Sequence, residues 1–271
     1  MIRCALLAVV FAACAGRPDI PPPSNDELGA AGGKEDSPAE APGAGWTGIG
    51  YGVEYQQVNT GTAIVIAYGG YTAHLSYSAA WANELVDAKL GGEGVGHIYA
   101  VQGPRDASYA AKEIGNSKLR AHLATIDDGV SPIYIVAHSS GTFVAHELLD
   151  QLFAHDQTGV LARISYWNLD GGGSGLTDDV VAGLHRITFT YAHDPTLSSG
   201  YSENNATARA LAEEYGTTPF EVTVSHSGCA NGAGWCLHDV LITHRPHNST
   251  SYDLADDYTD FANRPITVEY F

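Results

Sequence analysis

Short apolar runs recur along the chain and alternate with segments in which apolar residues have helical spacing. Six runs have the length and composition of buried strands: Ala63–Tyr68, His97–Val101, Pro132–Val136, Arg163–Leu169, Ile187–Ala192 and Phe220–Val224. Helical patterns cover about 78–90, 106–123, 142–150, 177–184 and 203–215. Because strand and helix alternate, the sequence predicts one mostly parallel α/β sheet with helices on both faces, in a single domain.

The link between the third run and its helix has a distinctive composition. Ala137 and Gly141 are small, and Ser139 lies midway between them. A serine between small residues on a strand-to-helix turn is typical of a nucleophile elbow, since only small neighbours let such a sharp turn close. The turn exposes the serine hydroxyl at the carboxyl edge of the sheet and directs the N–H of Ser140 toward the same point. Ser139 is therefore the predicted nucleophile.

The order of a serine elbow, a later acid and a histidine after the last strand resembles the α/β-hydrolase superfamily over residues 60–265. In that family the acid usually follows the second strand after the elbow strand. The resemblance therefore implies Asp194 as the catalytic acid, with Asp170, one strand earlier, as the alternative. Both positions also fit ordinary loops, because Asp194 precedes a proline and Asp170 precedes a glycine run.

Four histidines follow the last predicted strand: His226, His238, His244 and His247. The resemblance favours His247 as the base, because it directly precedes a segment that fits a capped final helix. His238 is the alternative base. The family also supplies one oxyanion-hole donor from the loop after its first parallel strand, which implies Gly70 and Tyr71 as partners of the Ser140 N–H.

The cysteines give two further predictions. Cys229 and Cys236 enclose a six-residue segment, and in an exported protein they are expected to form a disulfide. The region from Cys229 to His247 locally resembles the cutinases, in which a disulfide loop precedes an apolar segment and a Pro-His pair. It departs from them in having no aspartate inside the loop and one additional residue before the histidine.

The N-terminal residues predict export. Residues 1–13 carry one positive charge and a short apolar stretch, and Ala12-Ala13-Cys14 resembles a lipobox in which Cys14 is lipidated. Residues 14–45 are rich in proline, glycine and acids and fit a disordered tether, so the catalytic domain spans 46–271. We expect a cell-envelope lipoprotein, with plain secretion as the alternative.

Charge limits the partners. The formal net charge is −18 with only 13 Lys plus Arg, so the chain offers no basic surface for nucleic acid. We expect membrane contact only through the lipid anchor. The Gly92–Gly96 segment precedes a strand instead of following one, which disfavours a dinucleotide site, and we expect no cofactor and no metal.

These patterns predict a serine carboxylic-ester hydrolase that works through an acyl-enzyme, on a small-molecule, lipid or polyester acyl ester. Two hypotheses remain open from the sequence. One is a tethered binding module that keeps the fold without turnover, and the other is an amide or peptide hydrolase with the same triad.

Overall fold

The computed structural model describes residues 45–70, 73, 75–86, 90, 92–104, 109–223, 229 and 234–242. Eight strands lie within these residues: β1 Thr47–Gly48, β2 Val53–Gln57, β3 Ala63–Tyr68, β4 Val95–Val101, β5 Ile133–His138, β6 Ile164–Leu169, β7 Arg186–His193 and β8 Phe220–Thr223. The described helices are α1 Leu75–Leu85, α2 Tyr109–Ile126, α3 Gly141–Ala154, α4 Thr158–Leu161, α5 Asp178–Gly183, α6 Asn205–Glu214 and α7 Gly234–Val240.

All eight strands form one sheet in the order β1-β2-β4-β3-β5-β6-β7-β8. From β4 to β8 every neighbouring pair is parallel, which confirms the predicted α/β architecture. The sequence did not predict the antiparallel edge formed by β1 and β2. The reason is composition, because β2 has the sequence VEYQQ and only its first two residues are buried.

The sheet is buried on both faces, and alternate residues of each strand supply two separate cores. In β3, Ala63, Val65 and Ala67 belong to the core under α1 and α7, whereas Ile64, Ile66 and Tyr68 belong to the core under α2, α3 and α6. This arrangement explains the continuous apolar runs, since a strand covered on both faces has no solvent-facing side.

The parallel order gives the sheet a single carboxyl edge, at which β3, β5, β6 and β7 all end. The segments that follow these strands begin at Gly69, Ser139, Asp170 and Asp194, so the predicted nucleophile and both candidate acids lie at this edge. Among the described helices, we find none with the length and apolar character needed to cross a membrane.

Candidate active site

Ser139 lies on a sharp turn between β5 and α3 and has a positive φ of 54°. Few residues other than glycine adopt this conformation, and it costs energy that the surrounding structure must supply. The Ser139 N–H donates to Leu169 O on β6 at 3.0 Å, and Ser139 O accepts bonds from Thr142 N at 3.1 Å and Thr142 Oγ1 at 2.7 Å. The backbone of the turn is therefore fixed on both sides of the serine.

The small residues around Ser139 are required by contacts with the neighbouring strands. A Cβ on Gly141 would lie 2.4 Å from Gly69 O, so the start of α3 can approach β3 only with glycine at this position. A Cβ on Gly171 would lie 2.6 Å from Ser139 O, so the segment after β6 also passes directly against the turn. The predicted elbow has the geometry that its sequence pattern indicates.

His238 on α7 is paired with Asp170. The distance between His238 Nδ1 and Asp170 Oδ2 is 2.6 Å, and both side chains are buried, with Asp170 fully inaccessible and His238 7% exposed. Since the carboxylate can only accept, His238 Nδ1 carries the proton, and the lone pair is left on Nε2. A histidine in this tautomer can act as a general base.

His138 links this pair to the elbow. It directly precedes Ser139, and its ring centroid lies 4.4 Å from that of His238. Its Nε2–H donates to the backbone carbonyl of His238 at 3.1 Å. The imidazole of His238 is thus held beside the end of β5, at the residue adjoining the predicted nucleophile.

Asp170 is fixed by the segment between β7 and α6. Ser202 Oγ donates to Asp170 Oδ1 at 2.7 Å, and the Asn204 backbone N–H donates to Asp170 Oδ2 at 3.2 Å. The Asn204 side chain also donates to Asp170 O at 2.7 Å. Asp170 itself has a positive φ of 48°, and its N–H donates to Thr190 O at 2.7 Å. These bonds hold the carboxylate in one orientation toward His238.

Asp194, the first predicted acid, is also fully buried, and it accepts bonds that build a local turn. Its Oδ1 accepts bonds from the N–H of Thr196 at 2.9 Å and from the Thr196 hydroxyl at 2.6 Å. Its N–H donates to Gly200 O at 2.7 Å. The turn folds the chain back along β7 and leads directly to Ser202, the partner of Asp170.

The predicted disulfide between Cys229 and Cys236 is confirmed. Cys236 lies on α7 two residues before His238, and the buried residues Cys236, Leu237 and Val240 join the core under this helix. The bridge therefore fixes the start of the short helix that carries His238. The predicted base His247, together with His226 and His244, lies outside the described residues.

Of the predicted oxyanion-hole residues, Gly70 and Ser140 are described and Tyr71 is not. A Cβ on Gly70 would lie 3.2 Å from Ser139 Cβ and 2.9 Å from His138 Nδ1, so the end of β3 passes directly beside the elbow. Ser140 precedes α3 with φ −67° and ψ −12°, and its N–H belongs to the first turn of that helix. Gly70 thus lies close enough to border an oxyanion bound at Ser139.

A third buried histidine, His146, lies on α3 and contacts Tyr166 in the core under α2, α3 and α6. Its Nδ1–H donates to Ser174 O at 2.8 Å, and its Nε2 accepts from the Tyr166 hydroxyl at 2.8 Å. Burial lowers the pKa of His146 to about 4, because the charged imidazole would lose its hydration. His146 is thus a neutral, fully bonded core residue.

Sequence reasoning missed three residues that contact the Asp170–His238 pair: His138, Ser202 and Asn204. Their roles depend on contacts between segments 32 to 100 residues apart in the chain. Only His138 had a local signal, because it directly precedes the elbow serine. No pattern in the sequence singles out Ser202 or Asn204.

The strand order and the elbow define an α/β-hydrolase fold. No protein-family model matches the chain, and no curated protein matches it. Solved structures do match, and the three described below are 14–15% identical to this chain. An esterase/lipase from an uncultured bacterium is 15% identical with a TM-score of 0.42, covering 77% of this chain and 84% of that one.

Two further solved structures are similar at the same level. A carbohydrate esterase from gut microbiota, in truncated form, is 14% identical with a TM-score of 0.39, covering 81% of this chain and 96% of that one. A sugar hydrolase from Lactococcus lactis is 14% identical with a TM-score of 0.37, covering 63% and 77%. Similarity at this level carries no argument about the substrate.

Proposed function

We propose that the protein is a serine hydrolase of carboxylic esters, with Ser139 as nucleophile, His238 as general base and Asp170 as the acid that orients the base. One observation carries the proposal. A buried Asp170–His238 pair lies at 2.6 Å beside a serine that has the backbone conformation of a nucleophile elbow. Serine needs such a base to become nucleophilic at neutral pH.

The reaction proceeds in two halves. His238 Nε2 takes the Ser139 proton while Oγ attacks the ester carbonyl, and the Asp170 carboxylate stabilises the imidazolium that forms. The Ser140 N–H and the backbone near Gly70 stabilise the oxyanion of the tetrahedral intermediate. The imidazolium then protonates the leaving alcohol. Water, activated by the same histidine, releases the acid from Ser139.

This proposal assigns the acid to Asp170 in place of Asp194 and the base to His238 in place of His247. Two contacts support Asp170, namely its bond to a histidine from a distant segment and its orientation by Ser202. Asp194 accepts two bonds from Thr196, two residues away, and so closes a turn. The role of His247 as the base stays a prediction. Comparing the ester turnover of a His247 variant with that of a His238 variant separates the two assignments of the base.

A fluorophosphonate probe, which phosphonylates only activated serines, tests the proposal. We expect wild type to be labelled and to hydrolyse a short-chain p-nitrophenyl ester, and Ser139→Ala to lose both activities. Ser140→Ala is the matched control, because it removes the neighbouring hydroxyl and keeps the backbone N–H. An unlabelled wild type, or equal labelling of Ser139→Ala, would contradict the assignment.

The cellular location is a separate proposal that rests on the sequence alone. We propose a cell-envelope lipoprotein anchored at Cys14, with the acidic domain held away from the surface by the tether of residues 14–45. We expect Cys14→Ser to move the protein to the soluble fraction with unchanged ester turnover. A wild type that is already soluble would replace this proposal by plain secretion.

A further inference from the structure

Three side chains at the carboxyl edge have the composition of a transition-metal site. His138, His238 and Asp239 each place one potential ligand atom within 4.8 Å of the others. His138 is 2% exposed and His238 is 7% exposed, while Asp239 is partly accessible. Two imidazoles and a carboxylate suit zinc and related first-row divalent ions, whereas magnesium prefers oxygen ligands alone.

The hydrogen bonds of the two histidines also match those of metal ligands. A ligating imidazole usually donates its other ring N–H to a carboxylate or a backbone carbonyl, which fixes its tautomer and increases its basicity. His238 donates Nδ1–H to Asp170, and His138 donates Nε2–H to the His238 carbonyl. The remaining nitrogens, His238 Nε2 and His138 Nδ1, therefore present lone pairs.

From this geometry we infer an inhibitory site for one divalent transition-metal ion, held by His138, His238 and Asp239. The inference rests on the proposed function, since His238 Nε2 is the lone pair that would deprotonate Ser139. An ion bound to that nitrogen removes the general base. The enzyme is then inactive until the ion dissociates or a chelator removes it.

Distance and charge agree with such a site. Zinc bonds of about 2.0–2.1 Å in tetrahedral geometry separate ligand atoms by about 3.3 Å, and one ligand atom of each of the three groups already lies within 4.8 Å of the others. The Asp239 carboxylate and the nearby Asp170 carboxylate balance the charge of a divalent ion. The net charge of −18 also raises the local concentration of cations around the domain.

The first measurement uses binding alone and needs no ester turnover. Untagged Ser139→Ala protein is titrated with zinc chloride in a calorimeter, and the double variant Ser139→Ala/Asp239→Asn is titrated in parallel. We expect one binding event that weakens about 10-fold or more when Asp239 is replaced. Ser139→Ala/Asp150→Asn is the matched control, because Asp150 is an exposed acid on α3. Replacement of His138 by Asn should abolish the same event.

The second measurement uses ester turnover. We expect zinc to inhibit wild type, EDTA to restore it, and an equal concentration of magnesium to have no effect. Asp239→Asn should keep the metal-free rate and require about 10-fold more zinc for half-inhibition. Equal zinc sensitivity of Asp239→Asn and wild type in both measurements would overturn the inference. Zinc binding in a protein without esterase activity would instead contradict only the proposed function.

Discussion

Two buried aspartates directly follow neighbouring strands of this sheet, and the side-chain bonds they make to described residues differ in range. Asp170 bonds His238, which lies 68 residues away, and Ser202, which lies 32 residues away. Asp194 bonds Thr196, two residues away, and closes its own turn. Asp170 is bonded to a distant histidine and is positioned to orient a base, whereas the bonds from Thr196 give Asp194 a role in its turn.

The orientation of Asp170 nevertheless depends on the turn that Asp194 closes. The turn closed by Asp194 returns the chain along β7, where the Ala192 N–H donates to Ser202 Oγ at 3.0 Å and the Ser202 N–H donates to Ala192 O at 2.9 Å. Ser202 is then held against Asp170. Asp194 therefore builds the loop that orients Asp170, which gives both buried acids a role.

Matched substitutions of the two acids should produce the largest contrast. Asp170→Asn should lower kcat by about 10⁴-fold, because an amide can hold His238 in the wrong tautomer. Asp194→Asn should leave kcat within a few fold, since its amide oxygen still accepts both bonds from Thr196. Steady-state hydrolysis of a p-nitrophenyl ester measures both. Equal losses, or a larger loss in Asp194→Asn, would reverse the assignment.

The buried His146 can be compared with His238. His238 bonds a carboxylate, whereas both hydrogen-bond partners of His146 are neutral. Because its folded pKa is about 4 and its unfolded value is near 6.5, the unfolded chain binds the extra proton between these values. Stability should therefore fall by about 3 kcal/mol as the pH drops from 6.5 to 4. Urea titrations across this range measure the slope, which His146→Gln should flatten. An unchanged slope in the variant would assign the acid sensitivity to other groups.

Removing the disulfide tests whether the Cys229–Cys236 bridge is needed to hold His238 in position. The turn closed by Asp194 contains no such covalent link. Replacing Cys229 and Cys236 by serine should lower the free energy of unfolding by about 2–3 kcal/mol. Because α7 is short, we also expect kcat to fall while the domain is still folded. Reductant should reproduce this loss in wild type and have no further effect on the double variant. Full activity in the folded double variant would show that the bridge does not position His238.

The smallest contrast concerns Ser202, a positioning residue that acts through Asp170. Ser202→Ala removes one hydrogen bond to the carboxylate, so we expect kcat to fall about 10-fold, since a bond to a charged group contributes about 1.5 kcal/mol. KM should change little. Ser202→Thr keeps the hydroxyl and should restore kcat, whereas a residue needed only for packing would show no such rescue.

The sequence predicted what depends on local patterns. The bounds of β3 match its apolar run at both ends, and the elbow followed from three small or hydroxyl residues in order. The antiparallel strand β2 escaped prediction because its polar composition hides its pairing with β4. Alternating runs recover strands buried on both faces, and they miss edge strands.

The choice between the acids could not come from the sequence, because it depends on where a distant histidine packs. The glycines after Asp170 fitted an ordinary loop, and the structure gives another reason for them. Gly171 allows the chain to pass within contact distance of Thr142 and Ser139 O, which brings the backbone next to Asp170 against the elbow. Likewise, the position of His238 is fixed by the core packing of α7 and by the disulfide of Cys236. No local sequence pattern predicts this packing.

The most direct test of the central claim is proton NMR of the His238 imidazole. A ring N–H that donates to a buried carboxylate exchanges slowly and resonates downfield of the amide protons, so it reports the pairing without any turnover. We expect this signal in wild type and Asp194→Asn and its loss in His238→Gln and Asp170→Asn. A signal that persists in Asp170→Asn and disappears in Asp194→Asn would contradict the assignment of Asp170 as the partner of the base.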